Sequence, residues 1–559
     1  MSMNRRTFLR NASISAAAAT TAGSLLNAEP NPKSDRPNIV FIFSDDHAVS
    51  CIGAYKSFLQ EFVQEQNITP HIDSIAKNGM LFERSYCTNS ICGPSRAVIQ
   101  TGRHSHLNGY IANAFGQKFN GSQWTFPKAL QKAGYQTAII GKWHLGSNPQ
   151  GYDYWDVVPG QGSYYNPDFK TADPSKPKGY KARKVPGYNT NIVGDLSLNW
   201  LDKKRDKSKP FMLMMQPKAP HRNWKPDLKY LDLLDDVEVP MPETFFDDYE
   251  GRDVAKIHRM GVDKHMRMSS DLFVGPPAFA GAAKGAKGKK GGKTKGALGR
   301  LTPAQAKAWD KVMVPKNEAF HKANLTGKAL AKWKFQRYAK LFLACIKSVD
   351  DNVGRVLNYL KKNDLMENTI VMYSADQGFY LGEHGWFDKR WMYEESFRMP
   401  FIAMWKDKIK PDQVNTDLIQ NLDYAQTFCE LAGAKASNTC QGRSIVPLMK
   451  GNTPADWRKS MYYHYYEHMA CHGVTTHYGV TDGRHKLIRF YIPAKPGKLD
   501  SPTKPPAKGE WQLFDIKADP NEMHNAYNDP NYAKVVERLK GELVKLRKQY
   551  KDNTGPKLK

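Results

Sequence analysis

Asn38-Ile39-Val40-Phe41-Ile42-Phe43, followed at once by Ser44-Asp45-Asp46-His47, is a short apolar run that stops abruptly on a polar cluster. A run this short, rich in β-branched and aromatic residues, reads as a strand buried on both faces. The same arrangement returns three times. Residues 136–140 precede Gly141-Lys142-Trp143-His144, residues 211–215 precede the segment 216–221 (QPKAPH), and residues 369–373 precede Ser374-Ala375-Asp376-Gln377-Gly378. Residues 401–405 make a fifth run, and helical patterns at 126–132, 193–203 and 329–362 lie between the runs. Strands alternating with helices predict an α/β fold whose sheet is covered on both faces. In open α/β sheets ligands bind outside the carboxyl ends of the strands, so the four polar clusters are expected to converge on one crevice.

Within that crevice Asp45, Asp46, Asp376 and the amide oxygen of Gln377 form an all-oxygen set suited to a hard divalent cation. Three carboxylates in one place repel each other unless a cation offsets their charge. One such pair alone also suits a solvated loop or a helix cap; two pairs at two strand ends favour a metal. Zinc, which prefers nitrogen and sulfur, does not match this set.

Cys92-Gly93-Pro94-Ser95-Arg96, with Thr101-Gly102-Arg103 shortly after, reads as a helix that starts near Cys92 and ends at Gly102. Cys92 then lies where free backbone N–H groups and the helix dipole favour an anion. A lone cysteine before a helix reads as a buried structural residue. The whole string, however, resembles the signature of the type I sulfatases of the alkaline phosphatase-like superfamily, in which the cysteine of C-x-P-S-R is oxidised to formylglycine. Residues 382–400 and 510–525 are similar to the same family, and together the resemblance runs from Arg36 to the C-terminus, apart from a Lys/Gly tract. Gln100 departs from the usual leucine, and Gln377 from the usual asparagine.

The resemblance implies a large mixed central sheet flanked by helices, with a smaller C-terminal antiparallel sheet and one helix. It implies calcium held by Asp45, Asp46, Asp376 and Gln377 with the modified Cys92. It also implies a formylglycine-generating enzyme as a partner during maturation. One hydroxyl of the hydrated aldehyde attacks sulfur, and deprotonation of the other releases sulfate. By the same resemblance Arg96 orients the formylglycine, Lys142 and Lys389 hold the sulfate, His144 contacts the second hydroxyl, and His221 serves the leaving oxygen. Taken singly, each of these reads equally as a surface cation or a loop histidine. His384 reads as a structural loop residue.

The 559 residues, 40% hydrophobic and 11% aromatic, describe a globular protein with room for two domains. The formal charge of +27, from 82 Lys and Arg against 55 Asp and Glu, favours an anionic partner: sulfated polysaccharide, nucleic acid or a membrane surface. Part of the excess lies in residues 281–300 (GAAKGAKGKKGGKTKGALGR), a low-complexity insertion expected in solvent, outside the catalytic machinery. Asn4-Arg5-Arg6-Thr7-Phe8-Leu9-Arg10, with the uncharged Ala-rich stretch that follows, resembles a twin-arginine export signal over residues 1–28. No later segment carries the roughly 18 consecutive apolar residues of a membrane span, so an exported protein without stable membrane insertion is expected. Seven cysteines are too few for a disulfide scaffold, and the odd number fits one being consumed by modification. Cys429 with Cys440 is a candidate bridge.

A catalytic domain over 36–446 and a C-terminal subdomain over 447–559 follow from a shift in composition. The latter has short aromatic strands at 461–466, 478–481 and 486–491 and a closing helix with Val536, Leu539, Leu543 and Leu546 at helical spacing. His468, His472 and His477 lie in or beside these strands, and His472 is a candidate substrate contact. The expected activity is hydrolysis of sulfate esters on carbohydrate, such as sulfated polysaccharide or glycosaminoglycan oligosaccharides, with N-acetylglucosamine 6-sulfate one candidate by analogy. The alternatives are a phosphodiesterase or phosphonate monoester hydrolase of the same superfamily, and a non-catalytic polyanion-binding protein. No nucleic-acid reading motif is present, which argues against that partner.

Overall fold

Residues 36–113, 116–275, 298–493 and 509–557 are described by the computed structural model. The five apolar runs all become strands of one mixed sheet. Its ten strands lie in the order Gln413–Asn415, Met80–Phe82, Phe401–Met404, Thr369–Ala375, Asn38–Ser44, Phe211–Gln216, Gln136–Lys142, Tyr154–Val158, Asp168–Ala172 and Tyr180–Lys184. The strand Asn38–Ser44 is central and pairs in parallel with both neighbours, Ile39 opposite Met212 and Ile370. Successive side chains of a strand point to opposite faces, and this one feeds two cores. Val40 and Ile42 join Phe342, Ile346 and Val349 of the long helix Gly327–Lys362 on one face. Ile39, Phe41 and Phe43 join Ala97 and Ile99 of the helix Cys92–Thr101 on the other.

Helices over Phe126–Lys132, Asn189–Asn199 and Gly327–Lys362 match the expected positions, the second continuing into a wider turn, Trp200–Lys204. The helix Pro303–Ala323 was not expected. Its start carries a capping box, Thr302 Oγ1 accepting from Gln305 N and Gln305 Oε1 accepting from Thr302 N. Only Trp309 and Met313 of it are buried, so its apolar stripe is too thin to show as a period. Residues 1–28 and most of the Lys/Gly tract lie outside the described residues. The described end of the tract, Leu298–Arg300, borders the cleft discussed below instead of lying away from it.

The smaller sheet is antiparallel, in the order Met461–Tyr465, His477–Thr481, His485–Phe490, Trp511–Asp515. The closing helix Ala533–Gln549 lays Val536, Leu539, Leu543 and Leu546 against Tyr462, Val480, Leu487 and Leu513. Arg36–Lys559 forms one contact unit. Lys486 ties the small sheet to the main body, its Nζ 2.8 Å from both Glu394 Oε1 and Glu522 Oε1 with the ammonium fully buried. Removing one member of a buried ion network strands the others. Lys486→Ala is therefore expected to destabilise the protein by about 3–5 kcal/mol, read as a lower urea midpoint at unchanged m. A midpoint equal to wild type would show that the network contributes nothing.

All seven cysteines are free thiols, Cys429 and Cys440 included, so the candidate bridge is not formed. Cys440 Sγ instead points to Thr101 O at 3.6 Å.

Candidate active site

The four polar clusters meet at the carboxyl edge of the sheet, where the helix Cys92–Thr101 begins. That helix is buried along its whole length, starts after extended Ile91, and ends on left-handed Gly102. Gly93 N donates to Asn113 Oδ1 at 3.0 Å, and Asn421 Nδ2 donates to Ser95 Oγ at 2.8 Å, so its first turn is held from two sides. Cys92 Sγ ends 3.7 Å from Asp46 Oδ1. Burial, outweighing Lys142 and Lys389, pushes the Cys92 thiol well above its ordinary range. An unmodified Cys92 is therefore a protonated thiol and a weak nucleophile.

Arg96 knits the strand ends together. Its Nε donates to Asp376 Oδ2 at 3.1 Å, its Nη1 donates to Lys142 O and Gln216 Oε1 at 2.9 Å each, and its Nη2 lies 3.4 Å from Asp45 Oδ1. Lys142 Nζ donates to Asp45 Oδ2, and Lys389 Nζ donates to both oxygens of Asp46 at 2.7 and 2.6 Å. Lys142 can reach inward because Gly141 precedes it at φ 111°, where a Cβ would lie 2.0 Å from Gln216 O. Asp46, His144, Asp388, Arg390 and His472 also hold positive φ (64, 55, 83, 99 and 56°). Such conformations cost about 1 kcal/mol or more each and here encircle one site.

Ligand atoms of Asp45, Asp46, Asp376 and Cys92 all lie within 4.8 Å of one another. Burial raises Asp45, but Lys142 and Arg96 outweigh it and hold that carboxyl well below the usual range. Burial and neighbouring carboxylates leave Asp46 raised and push Asp376 up to about 7, despite Lys389 and Arg96. Gln377 Nε2 donates to Asp46 Oδ1, while its buried Oε1 has no partner. Two carboxyls disfavoured as anions and an orphaned amide oxygen are what a hard divalent cation would satisfy, so these residues fit one.

His221 Nδ1 donates to Arg222 O at 2.6 Å, which fixes the tautomer and aims Nε2 at Asp46 Oδ2, 3.7 Å away. His144 is also at the site, its buried Nδ1 without a partner. Burial and then Lys142 drive both imidazoles well below their ordinary pKa, so both are neutral without substrate. His472 differs. Its Nε2 lies 3.4 Å from Asp388 Oδ2 and from Arg222 Nη1, and its Nδ1 donates to Arg259 O at 3.0 Å. Burial disfavours its charge, but Asp388 and Cys471 outweigh burial and raise it to about 9.

Every expected site residue thus falls in one neighbourhood, His472 at its outer edge. His468 and His477 do not face it. His477 is packed between Tyr463 and Phe490 with Nδ1 2.7 Å from Thr475 O, and His468 is buried beside Thr476. His384 is structural, its Nδ1 2.7 Å from Asp247 Oδ2. Sequence reading missed Gln216, Lys218 and Arg222, although all lie within or beside the 216–221 cluster. Lys218 and Arg222 line a cleft of ≈ 1250 Å³ that opens from His221.

Two family models match the chain: Sulfatase over residues 37–434, and N-sulphoglucosamine sulphohydrolase, C-terminal, over residues 382–549. An N-acetylglucosamine-6-O-sulfatase of Bacteroides thetaiotaomicron is 41% identical over 533 residues, covering 94% of this chain and 89% of the relative. The human N-acetylglucosamine-6-sulfatase is 24% identical over 77% of this chain and 67% of its own length. A solved structure of a protein in complex with its substrate D-glucosamine-2-N,6-O-disulfate superposes with TM-score 0.83 at 41% identity, covering 93% of this chain and 99% of that one. No helix among the described residues is long and apolar enough to cross a membrane. A family model that spans most of the chain and a relative 41% identical along nearly all of it place this protein in the sulfatase family, as a sulfuric ester hydrolase.

Proposed function

We propose that this enzyme hydrolyses O-sulfate esters on carbohydrate, with glucosamine units of glycosaminoglycan oligosaccharides as the substrate class, through a formylglycine made from Cys92. The observation that carries this reading is the position of Cys92. It begins a buried helix among three carboxylates and two lysines, beside a cleft lined by basic side chains. Its high thiol pKa argues that the residue acts after conversion, and the hydrated aldehyde supplies the attacking hydroxyl. Asp45, Asp46, Asp376 and Gln377 would hold calcium, which would supply positive charge next to the nucleophile.

The chain's own groups do the rest. Arg96, fixed by Asp376 and the Lys142 carbonyl, keeps the strand ends in register around residue 92. Lys142 and Lys389 face the sulfuryl oxygens, where negative charge grows as the ester bond breaks. His144, neutral and with an orphaned nitrogen, takes the proton from the second hydroxyl. His221 presents Nε2 to the leaving oxygen. The arriving sulfate opposes the cations that keep this imidazole neutral, so His221 gains its proton when substrate binds. His472, protonated and at the outer edge, meets the sugar hydroxyls. The N-terminal segment supports export through a twin-arginine route, with a formylglycine-generating enzyme acting during maturation.

The test is sulfate release by matured enzyme from N-acetylglucosamine 6-sulfate and heparin fragments, beside one phosphodiester. Turnover of the phosphodiester alone would move the activity to the phosphodiesterase branch of the superfamily. His221→Ala is expected to slow sugar sulfates by about 10²–10⁴-fold and an aryl sulfate much less, because a phenolate departs without protonation. Equal losses on both substrates would remove the proton-donor role.

A further inference from the structure

Eight Lys and Arg side chains line the cleft that opens from His221, and no Asp or Glu does. Arg222 is neutralised by Asp271, whose two oxygens accept from its Nε and Nη2 at 2.9 and 2.5 Å, and Arg300 pairs with Asp168 at 2.9 Å. The other six, Lys184, Lys218, Lys225, Arg259, Lys264 and Arg267, make no ion pair among the described residues. Lys184, Lys264 and Arg267 are exposed, where water screens them. Lys225 and Arg259 are half-buried, and Lys218 is only 4% exposed.

Lys218 is the most telling. Its Nζ reaches Arg222 O at 3.3 Å, sits 3.4 Å from His221 Nδ1, and lies over the Tyr164 ring at 4.9 Å. Burial, with Lys142 and Lys225 adding to it, brings its pKa down to about 7. Burial also lowers Lys225. A desolvated ammonium without a directly paired carboxylate is costly to keep; Asp45 and Asp46 offset part of that cost from a distance, but among the described residues no acid pairs with Lys218. The lysines that face the scissile sulfate, Lys142 and Lys389, are by contrast already paired with Asp45 and Asp46. The uncompensated charge therefore lies one step outward, where an anion on the substrate beyond the reacting group would enter.

We propose that Lys218, Lys225 and Arg259 form a second anion subsite, which takes a sulfate or carboxylate carried by the substrate beyond the scissile ester. The inference rests on the sulfatase reading and narrows it to multiply charged sugars. Lys218 Nζ, 3.4 Å from His221 Nδ1, places this subsite next to the reacting centre, and Arg222, locked by Asp271, lies beside His472.

The experiment measures kcat/KM for two matched pairs of substrates. The first is N-acetylglucosamine 6-O-sulfate against glucosamine 2-N,6-O-disulfate. The second is the same monosulfate against a disaccharide that adds a neighbouring uronate. Wild type is expected to favour at least one doubly charged partner by about tenfold or more, as a charge-assisted contact supports. The double variant Lys225→Gln, Arg259→Gln should bring that ratio close to one, through KM more than kcat, because the contact is made equally in ground and transition states. Preference confined to the disulfate assigns the subsite to a sulfate on the same sugar; preference confined to the disaccharide assigns it to a neighbouring carboxylate. A wild-type ratio near one, or a ratio the double variant leaves intact, overturns the subsite. Silence on every sulfate ester overturns the sulfatase reading instead.

Discussion

Cys92→Ala is expected to cut sulfate release by about 10⁴-fold or more, since under the proposed mechanism it leaves no thiol to be converted to the aldehyde whose hydrate attacks sulfur, and nothing nearby can replace it. Its neighbours cannot substitute. Asp45, Asp46 and Asp376 are engaged by Lys142, Lys389 and Arg96, and His144 and His221, held neutral by burial and Lys142, are assigned proton transfer in the proposed mechanism. The fold should survive the change, because the side chain lost is one buried Sγ whose polar contact is Asp46 at 3.7 Å, at a cost of about 1 kcal/mol. The measurement pairs a sulfate-release assay with the mass of the peptide carrying residue 92 in the wild type. A variant that keeps wild-type turnover, or an active wild type with an intact thiol, would remove formylglycine from the mechanism.

Adding calcium should raise the melting temperature of the cation-free protein, and Asp46→Asn should abolish that rise. A ligand at a hundred times its dissociation constant stabilises the state it binds by about 2.7 kcal/mol. The pH dependence follows from Asp376, whose folded pKa of about 7 lies above its unfolded value. Between those two values the cation-free folded state binds more protons than the unfolded chain, so its stability falls as pH rises through that window. Above it, three charged carboxylates remain for the cation to stabilise. The calcium-induced shift is therefore expected to be larger at pH 8 than at pH 6. Sulfate release should fall by about 10³-fold on chelation, the scale of several kcal/mol of charge stabilisation. No thermal shift with any divalent cation, or a full shift in Asp46→Asn, would overturn the metal assignment.

Much of this architecture was legible because the decisive signals are local. An apolar run ending on a polar cluster marks both a buried strand and the point where the chain leaves the sheet, so Asp45, Lys142, His144, His221 and Asp376 could be gathered into one crevice before any coordinates. The last two strands at one end of the sheet, Asp168–Ala172 and Tyr180–Lys184, carry no such signal. They are mostly exposed or half-buried, and a strand that buries little has little apolar pattern to read. The helix Pro303–Ala323 went unseen for the same reason, although its Thr302 and Gln305 capping pair was present.

By itself the sequence determined the sheet's central strands, the helix that presents Cys92, and which residues stand at the strand ends. It also determined the chemistry they can perform, since oxygen donors, lysines and imidazoles carry their reactivity with them. Only the tertiary structure decided which of three neighbouring histidines lines the cleft. His472 turns out beside Asp388 and Arg222, while His468 and His477 are buried. It alone showed that Lys218 is enclosed without an acid partner, and that the end of the Lys/Gly tract borders the cleft. The physical reason is that periodicity and motif record how a segment relates to its own backbone. Burial, pairing and pKa depend instead on segments hundreds of residues away, which meet only when the sheet and its two cores close.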